Sequence, residues 1–257
     1  MVDRHPMSHG AAVPPVIVVV AMSDEAQPFV DRAARVDDAV AVGGSLQRVV
    51  EIDGVELLLV QGGIGFVNAA GATTSAIVRA GALEGVVPTV VSAGTAAGMG
   101  HGIGIGDVVA GGEYVNLDAD ARVFGYRLGQ VPGMPASFHA DEALMEAALA
   151  YGASVASPDG WAVRPGLIAS SDAFMTADRV IGVRRAFADV VDVDAVDMES
   201  MAIAQTCHVH RVPFVSVRGI SDLAGPDAHD VHDENLALTA GRSADVALAL
   251  VRGLAGR

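Results

Sequence analysis

Cysteine is all but missing from this chain. Cys207 stands alone among 257 residues, which excludes an internal disulfide and points to a reducing compartment, so a cytoplasmic location is expected. Aromatic residues are scarce too, at 4% against 51% apolar residues overall. A core must therefore be assembled from Ala, Val, Leu and Ile, which suits a buried sheet covered by helices. Positive charge is in short supply: 16 Lys and Arg face 31 Asp and Glu, for a net charge of -15. Such a surface repels phosphate backbones and anionic lipid, which excludes nucleic acid and membrane surfaces as main partners. Long apolar runs are also lacking, since Val16 to Met22 is far too short to span a bilayer. Met1 to Pro15 has neither the basic start nor the apolar stretch of a signal peptide. With His5, His9 and adjacent prolines it reads as a flexible tail, ahead of one domain over 16–257.

What is present alternates between strand and helix signals. Val16 to Ala21 is a β-branched run, followed by Ser23 as a helix cap with Asp24 and Glu25 behind it. Val49 to Ile52 and Val55 to Val60 flank Asp53-Gly54, a hairpin signal. Gly62-Gly63-Ile64-Gly65 turns into a helix from about Phe66 to Ala80, and Val86 to Ser92 is a buried strand ending in the small-residue loop Ala93 to Gly98. Asp107 to Ala110, Trp161 to Ala169, Ala195 to Met198 and Pro213 to Ile220 read as further strands. Helices are expected over Asp141 to Tyr151, Val180 to Phe187, Glu199 to His210 and His232 to Leu254. Leu117 to Phe138 has no clean period, yet its aromatics argue against disorder, and so long a loop in a compact domain is usually functional. The expected architecture is one three-layer α/β domain with a mixed, largely parallel central sheet flanked by helices.

In such folds ligands sit beyond the carboxyl ends of strands. Several expected strand ends carry polar side chains: Ser23, Asp24 and Glu25; Thr95; Ser171 and Asp172; Glu199; Ser221 and Asp222. Any one acid there is an ordinary helix-start residue, so only their recurrence suggests a carboxylate-lined site. Two other signals mislead. Gly63-x-Gly65-x-x-Asn68 lacks the third glycine of a dinucleotide fingerprint and reads as a tight turn. His208, His210, His229 and His232 come without a Cys pair or His-Glu-x-x-His, so solvated or capping histidines are the plainer reading and no metal is expected.

The stretches Ala21-Met22-Ser23-Asp24-Glu25, Gly62-Gly63-Ile64-Gly65, Ser92-Ala93-Gly94-Thr95-Ala96, Ser171-Asp172-Ala173-Phe174, Val196-Asp197-Met198-Glu199 and Val217-Arg218-Gly219-Ile220-Ser221-Asp222 occur in that order. Together they resemble the 5'-methylthioadenosine/S-adenosylhomocysteine nucleosidases of the purine nucleoside phosphorylase-like superfamily. Asp118-Ala119-Asp120 through Phe124-Gly125-Tyr126 to Gly129-Gln130-Val131-Pro132 is similar to that subgroup in particular. The resemblance implies a nucleoside phosphorylase-like fold and hydrolysis of the N-glycosidic bond of a 5'-substituted adenosine, with no cofactor. By the same resemblance Asp222 is the general acid at N7 and Glu25 activates water. Glu199 binds the ribose hydroxyls, Met198 packs on the sugar, Phe174 stacks on adenine, and the Met175 backbone reads its edge. Thr95 and Ala96 line the substrate site, while Ser221 and Arg218 orient the acid and the ribose-side acidic cluster. The positions matching Phe124, Tyr126 and Pro132 close the 5' end from a neighbouring subunit, which implies a homodimer.

This chain also departs from the family pattern. Thr95-Ala96-Ala97-Gly98 stands where Ser-Ala-Gly-Gly is usual, Ser23 replaces an acid, and Ala153 to Trp161 has little resemblance. The extra methyl of Ala97 bears on substrate range. Three rivals remain: a nucleoside phosphorylase, a futalosine-type hydrolase and a silent nucleoside-binding module. A phosphorylase needs cations on phosphate, but the first loop has no arginine before Arg32 and Val86 to Gly100 has none. The Phe124 to Pro132 segment argues against a futalosine-type substrate, and a binding module has no use for a water-activating Glu25.

Overall fold

The computed structural model of the chain describes residues 15–155, 160–187 and 192–255. The expected tail, but for Pro15, lies outside the described residues, as does part of the weakly matching stretch before Trp161.

The chain opens with β1 (Val16–Val20), whose β-branched residues are buried, and α1 (Ser23–Arg32). Short edge strands β2 (Arg35–Val36) and β3 (Val40–Val42) precede the hairpin of β4 (Ser45–Ile52) and β5 (Val55–Gln61). Asp53 and Gly54 turn that hairpin with positive φ at both positions, as a tight two-residue turn requires. Then come α2 (Phe66–Arg79), β6 (Thr89–Gly98), β7 (Val108–Asn116), β8 (Phe138–His139), α3 (Glu142–Ser154), β9 (Val163–Ser170) and α4 (Ala177–Phe187). The chain closes with β10 (Ala195–Asp197), α5 (Ser200–His210), β11 (Phe214–Asp222) and α6 (Ala228–Ala255).

The strands form one mixed sheet in the order β10-β9-β7-β11-β6-β1-β5-β4-β2, with β3 on β4, β8 on β7 and a second pairing of β10 with β6. Its middle, β5-β1-β6-β11, is parallel, as are β7-β9 and β9-β10. The two-residue period of β1 and β5 divides the core. Ile17, Val19, Leu58 and Val60 pack toward α2 and α5, whereas Val18, Val20, Leu57 and Leu59 pack toward α1, α3 and α6. A third cluster, with Met175, Phe187 and Val196, lies beside α4. These three layers match the expected fold class. Among the described residues no helix is long and apolar enough to cross a membrane.

Four local readings need correction. Ser23 does not cap α1: Met22 is the N-cap, and Ser23 lies inside the helix with its hydroxyl on Asp24. Val86 and Val87 are exposed and precede the strand. Pro88 has no N–H for the ladder, and β6 starts at Thr89. The small-residue stretch Ala93 to Gly98 is no loop, because β6 runs through it, paired with β11 on one side and β10 on the other. Finally, β2 and β3 were not foreseen; they are too short and exposed to leave a hydrophobic period.

Candidate active site

The ends of β1, β6, β10 and β11 border one cleft of about 580 Å³, lined by Met22, Glu25, Ile64, Thr95, Ala96, Ala97, Phe174, Met175, Asp197, Met198, Glu199, Ser221, Asp222 and His232, among others.

Glu25, the third residue of α1, is buried and held by four donors. Its Oε2 accepts the N–H groups of Ala21 (2.9 Å) and Met22 (3.2 Å), and its Oε1 accepts the N–H (2.9 Å) and hydroxyl (3.2 Å) of Thr95. The helix start thus orients the carboxylate and ties β1 to β6. Gly94 permits this approach: a Cβ there would lie 2.5 Å from both Glu25 Oε1 and Arg218 Nη1.

Arg218, on β11, is 1% exposed and sits behind the cleft. Its Nε lies 2.9 Å from Asp197 Oδ2, Nη2 donates to Ser92 Oγ at 2.9 Å, and Nη1 lies 3.6 Å from Glu199 Oε2. Nη1 is a buried polar atom with no hydrogen-bond partner among the described residues. Asp197 anchors the arrangement from β10, accepting from the Ser170 and Ser200 hydroxyls and from the N–H groups of Glu199 and Ser200.

Glu199 is the N-cap residue of α5 and accepts the Gly65 N–H at 3.1 Å. Burial pushes its carboxyl up from 4.5 to about 8 against the pull of Arg218, and Asp197 and Glu25 push the same way. The shift favours its protonated form.

Asp222 ends β11. The strand register shifts between Ile220 and Asp222, so Ser221 is an extra residue. That bulge lets two consecutive side chains line the cleft. Asp222 Oδ1 accepts the Ala224 N–H at 2.8 Å, and its Oδ2 lies 3.1 Å from the Ser221 hydroxyl.

Of the residues singled out from sequence, Glu25, Thr95, Ala96, Phe174, Met175, Met198, Glu199, Ser221 and Asp222 meet at the cleft, with Arg218 behind them. Ser171 and Asp172 do not line it: Asp172 Oδ1 caps α2 through the Phe66 N–H at 2.7 Å, and Ser171 donates to Asp118. Phe124, Tyr126 and Pro132 do not line it either. Phe124 is 79% exposed at the end of a short 3-10 turn, Arg122–Phe124. Sequence reasoning missed Asp197 as an anchor and His232 as a lining residue. Asp197 lay inside a quoted motif, whereas His232 carried no signal beyond opening the expected last helix.

A family model described as the phosphorylase superfamily matches residues 15–254. A 5'-methylthioadenosine/S-adenosylhomocysteine nucleosidase of Anoxybacillus flavithermus is 40% identical over 79% of this chain and 83% of the relative. The crystal structure of a nucleosidase of the same name from Neisseria meningitidis, in complex with methylthio-immucillin-A, aligns at TM-score 0.83 and 38% identity, covering 93% of this chain and 98% of that one. Futalosine hydrolase of Helicobacter pylori aligns at TM-score 0.81 and 25% identity, covering 94% and 98%.

Proposed function

Since the chain belongs to the 5'-methylthioadenosine/S-adenosylhomocysteine nucleosidase family within the phosphorylase superfamily, we propose that it hydrolyses the N-glycosidic bond of 5'-substituted adenosines such as 5'-methylthioadenosine, S-adenosylhomocysteine and 5'-deoxyadenosine. The products are adenine and the 5'-substituted ribose. The observation that carries this reading is the convergence of three buried carboxyl groups, Glu25, Glu199 and Asp222, on one cleft.

Breaking the C–N bond leaves an electron-rich purine and an oxocarbenium-like sugar. Asp222 gives its proton to N7 as the purine takes the bond pair. Its own negative charge is then held by the Ala224 N–H and the Ser221 hydroxyl. Glu25, fixed by four donors, accepts a proton from the attacking water. A protonated Glu199 donates to one ribose hydroxyl oxygen and accepts from the other hydroxyl. The free Nη1 of Arg218 is a donor for a water or sugar oxygen at the same place. Phe174 stacks on the adenine, the Met175 backbone reads its edge, and Met198 covers the sugar. The proton and the water are handled by carboxyl groups, so the reaction needs no cofactor or metal.

The same proposal includes a homodimer and a cytoplasmic location. A groove lined by Phe66, Val67, Ala70, Val131, Met201 and Val209 runs along α2 and α5. Val67, on that groove, is 84% exposed, and apolar surface of this kind supports covering by a second copy. The buried, single Cys207 suits a reducing compartment.

The deciding assay is incubation with 5'-methylthioadenosine in phosphate-free buffer, with futalosine as a second arm. Adenine and free 5-methylthioribose are expected. Strict phosphate dependence, or turnover of futalosine alone, refutes the reading.

A further inference from the structure

His232, in the first turns of α6, lines the cleft with its ring edge toward Phe174 (centroids 6.2 Å apart, planes at 82°). Its Nδ1 lies 2.9 Å from Ser221 Oγ, and the same oxygen lies 3.1 Å from Asp222 Oδ2 and 3.3 Å from the Ala96 carbonyl oxygen. A serine hydroxyl has one proton to give. Around Ser221 stand an acid, a carbonyl and an imidazole, so what His232 does with its Nδ1 decides where that proton points.

We infer that His232 is a positioning residue for Asp222, acting through the Ser221 hydroxyl. The inference rests on the proposed role of Asp222 as the acid. When Nδ1 carries a hydrogen, it donates to Ser221 Oγ, and the Ser221 hydroxyl is left to donate to Asp222. The carboxylate formed when the Asp222 O–H bond breaks and the N7–H bond forms is then held by two donors, Ser221 O–H and Ala224 N–H. When Nδ1 is bare, it competes for the Ser221 proton, and the carboxylate is left with the Ala224 N–H alone. A hydrogen on Nδ1 thus enforces the first arrangement, and without it the acid loses one of its two donors. His232 itself neither gains nor loses a proton during the chemical step.

The groups that face His232 across the cleft are Asp222 from β11, Glu25 from α1, and Asp197 and Glu199 from the end of β10. On its own helix His229, Asp230, Asp233 and Glu234 are exposed to solvent. Glu199, pushed up to about 8, gives turnover a pH dependence of its own, so the variants are compared at one pH.

The experiment measures kcat and KM for adenine release from 5'-methylthioadenosine at one pH, for the wild type, His232→Asn, His232→Phe, Ser221→Ala and the double variant Ser221→Ala/His232→Phe. His232→Phe removes the hydrogen-bonding atom and is expected to lower kcat on the order of tenfold with a smaller change in KM, the scale of one hydrogen bond to a charged group. Asparagine keeps a donor near the place of Nδ1, so His232→Asn is expected to recover most of the kcat lost in His232→Phe. In the Ser221→Ala background, where the bridge is cut, His232→Phe is expected to have no further effect. An unchanged kcat in His232→Phe overturns the inference. So does a loss confined to KM, a failure of asparagine to recover kcat, or an equal effect of His232→Phe with and without Ser221. A wild type that releases no adenine removes the proposed function itself, and this inference with it.

Discussion

The carboxyl of Glu199 makes a stability prediction that does not depend on turnover. It is 6% exposed and pushed from 4.5 to about 8, chiefly by burial. A group that binds its proton more tightly folded than unfolded makes stability fall as pH rises. Below pH 4.5 both states hold the proton; from there to about 8 the unfolded chain releases it first, and above that the loss is complete. At about 1.4 kcal/mol per unit, the full gap corresponds to several kcal/mol. For a chain of this size about 1 kcal/mol shifts Tm by roughly 2–4 °C, so the effect is on the order of 10 °C. Glu199→Gln imitates the protonated side chain and does not titrate. Groups away from the cleft titrate equally in both proteins and cancel in the difference between their melting curves, which reports Glu199 together with the neighbours coupled to it, Asp197, Glu25 and Arg218. By scanning calorimetry from about pH 4.5 to 9, Tm of Glu199→Gln minus Tm of the wild type should rise steadily toward pH 8 and then level. A difference that is flat, or that falls, refutes a buried carboxyl kept neutral.

Asp222→Asn should lower kcat by about 10²-fold or more, while binding of a ground-state analogue changes less; near-normal turnover would return Asp222 to a structural role. Gly94→Ala places a methyl 2.5 Å from both Glu25 Oε1 and Arg218 Nη1, so thermal melting should show a loss of about 1–3 kcal/mol and the rate assay a collapse of kcat. Retained activity would mean that the two groups part freely. Mixing inactive Asp222→Asn with an inactive chain carrying polar residues at Phe124, Tyr126 and Pro132 should restore one working pocket per mixed dimer. No recovery after verified subunit exchange would exclude a site completed by the partner.

The layers of this fold were legible because their signal is periodic. A β-branched run such as Val16 to Val20 can be satisfied only by a strand buried on both faces, and Asp53-Gly54 only by a tight turn. The errors fell where tertiary pairing overrides local composition. Ala93 to Gly98 has the small residues of a loop, yet β11 and β10 bond it from both sides, and at Gly94 the close packing of Arg218 and Glu25 leaves no room for a side chain. The strand-end acids were legible as a group but not as individuals. Asp172 and Asp222 each follow a serine at a strand end, and only the fold turns one toward the Phe66 N–H and the other into the cleft. His232 was illegible because its partners, Ser221 at the end of β11 and Phe174 beyond β9, are brought to it only by the fold.

What divides the acids of the cleft is their supply of donors. Asp197 has the Arg218 guanidinium at 2.9 Å and two serine hydroxyls, and Glu25 has four donors. Glu199 has one backbone N–H at 3.1 Å and shares the same arginine only at 3.6 Å, beyond hydrogen-bond reach. A single buried arginine cannot compensate Asp197, Glu25 and Glu199 together, and of these it is Glu199, with the fewest donors, whose carboxyl burial pushes up. In the proposed reaction that is the useful place. A neutral carboxyl beside the ribose offers both a donor and an acceptor to two adjacent hydroxyls, and it adds no negative charge next to Glu25, which must take a proton from water. The better-supplied acids stay fixed, one as the anchor of Arg218 and the other as the base. Three side chains of one chemical type thus come to differ through the backbone that surrounds them.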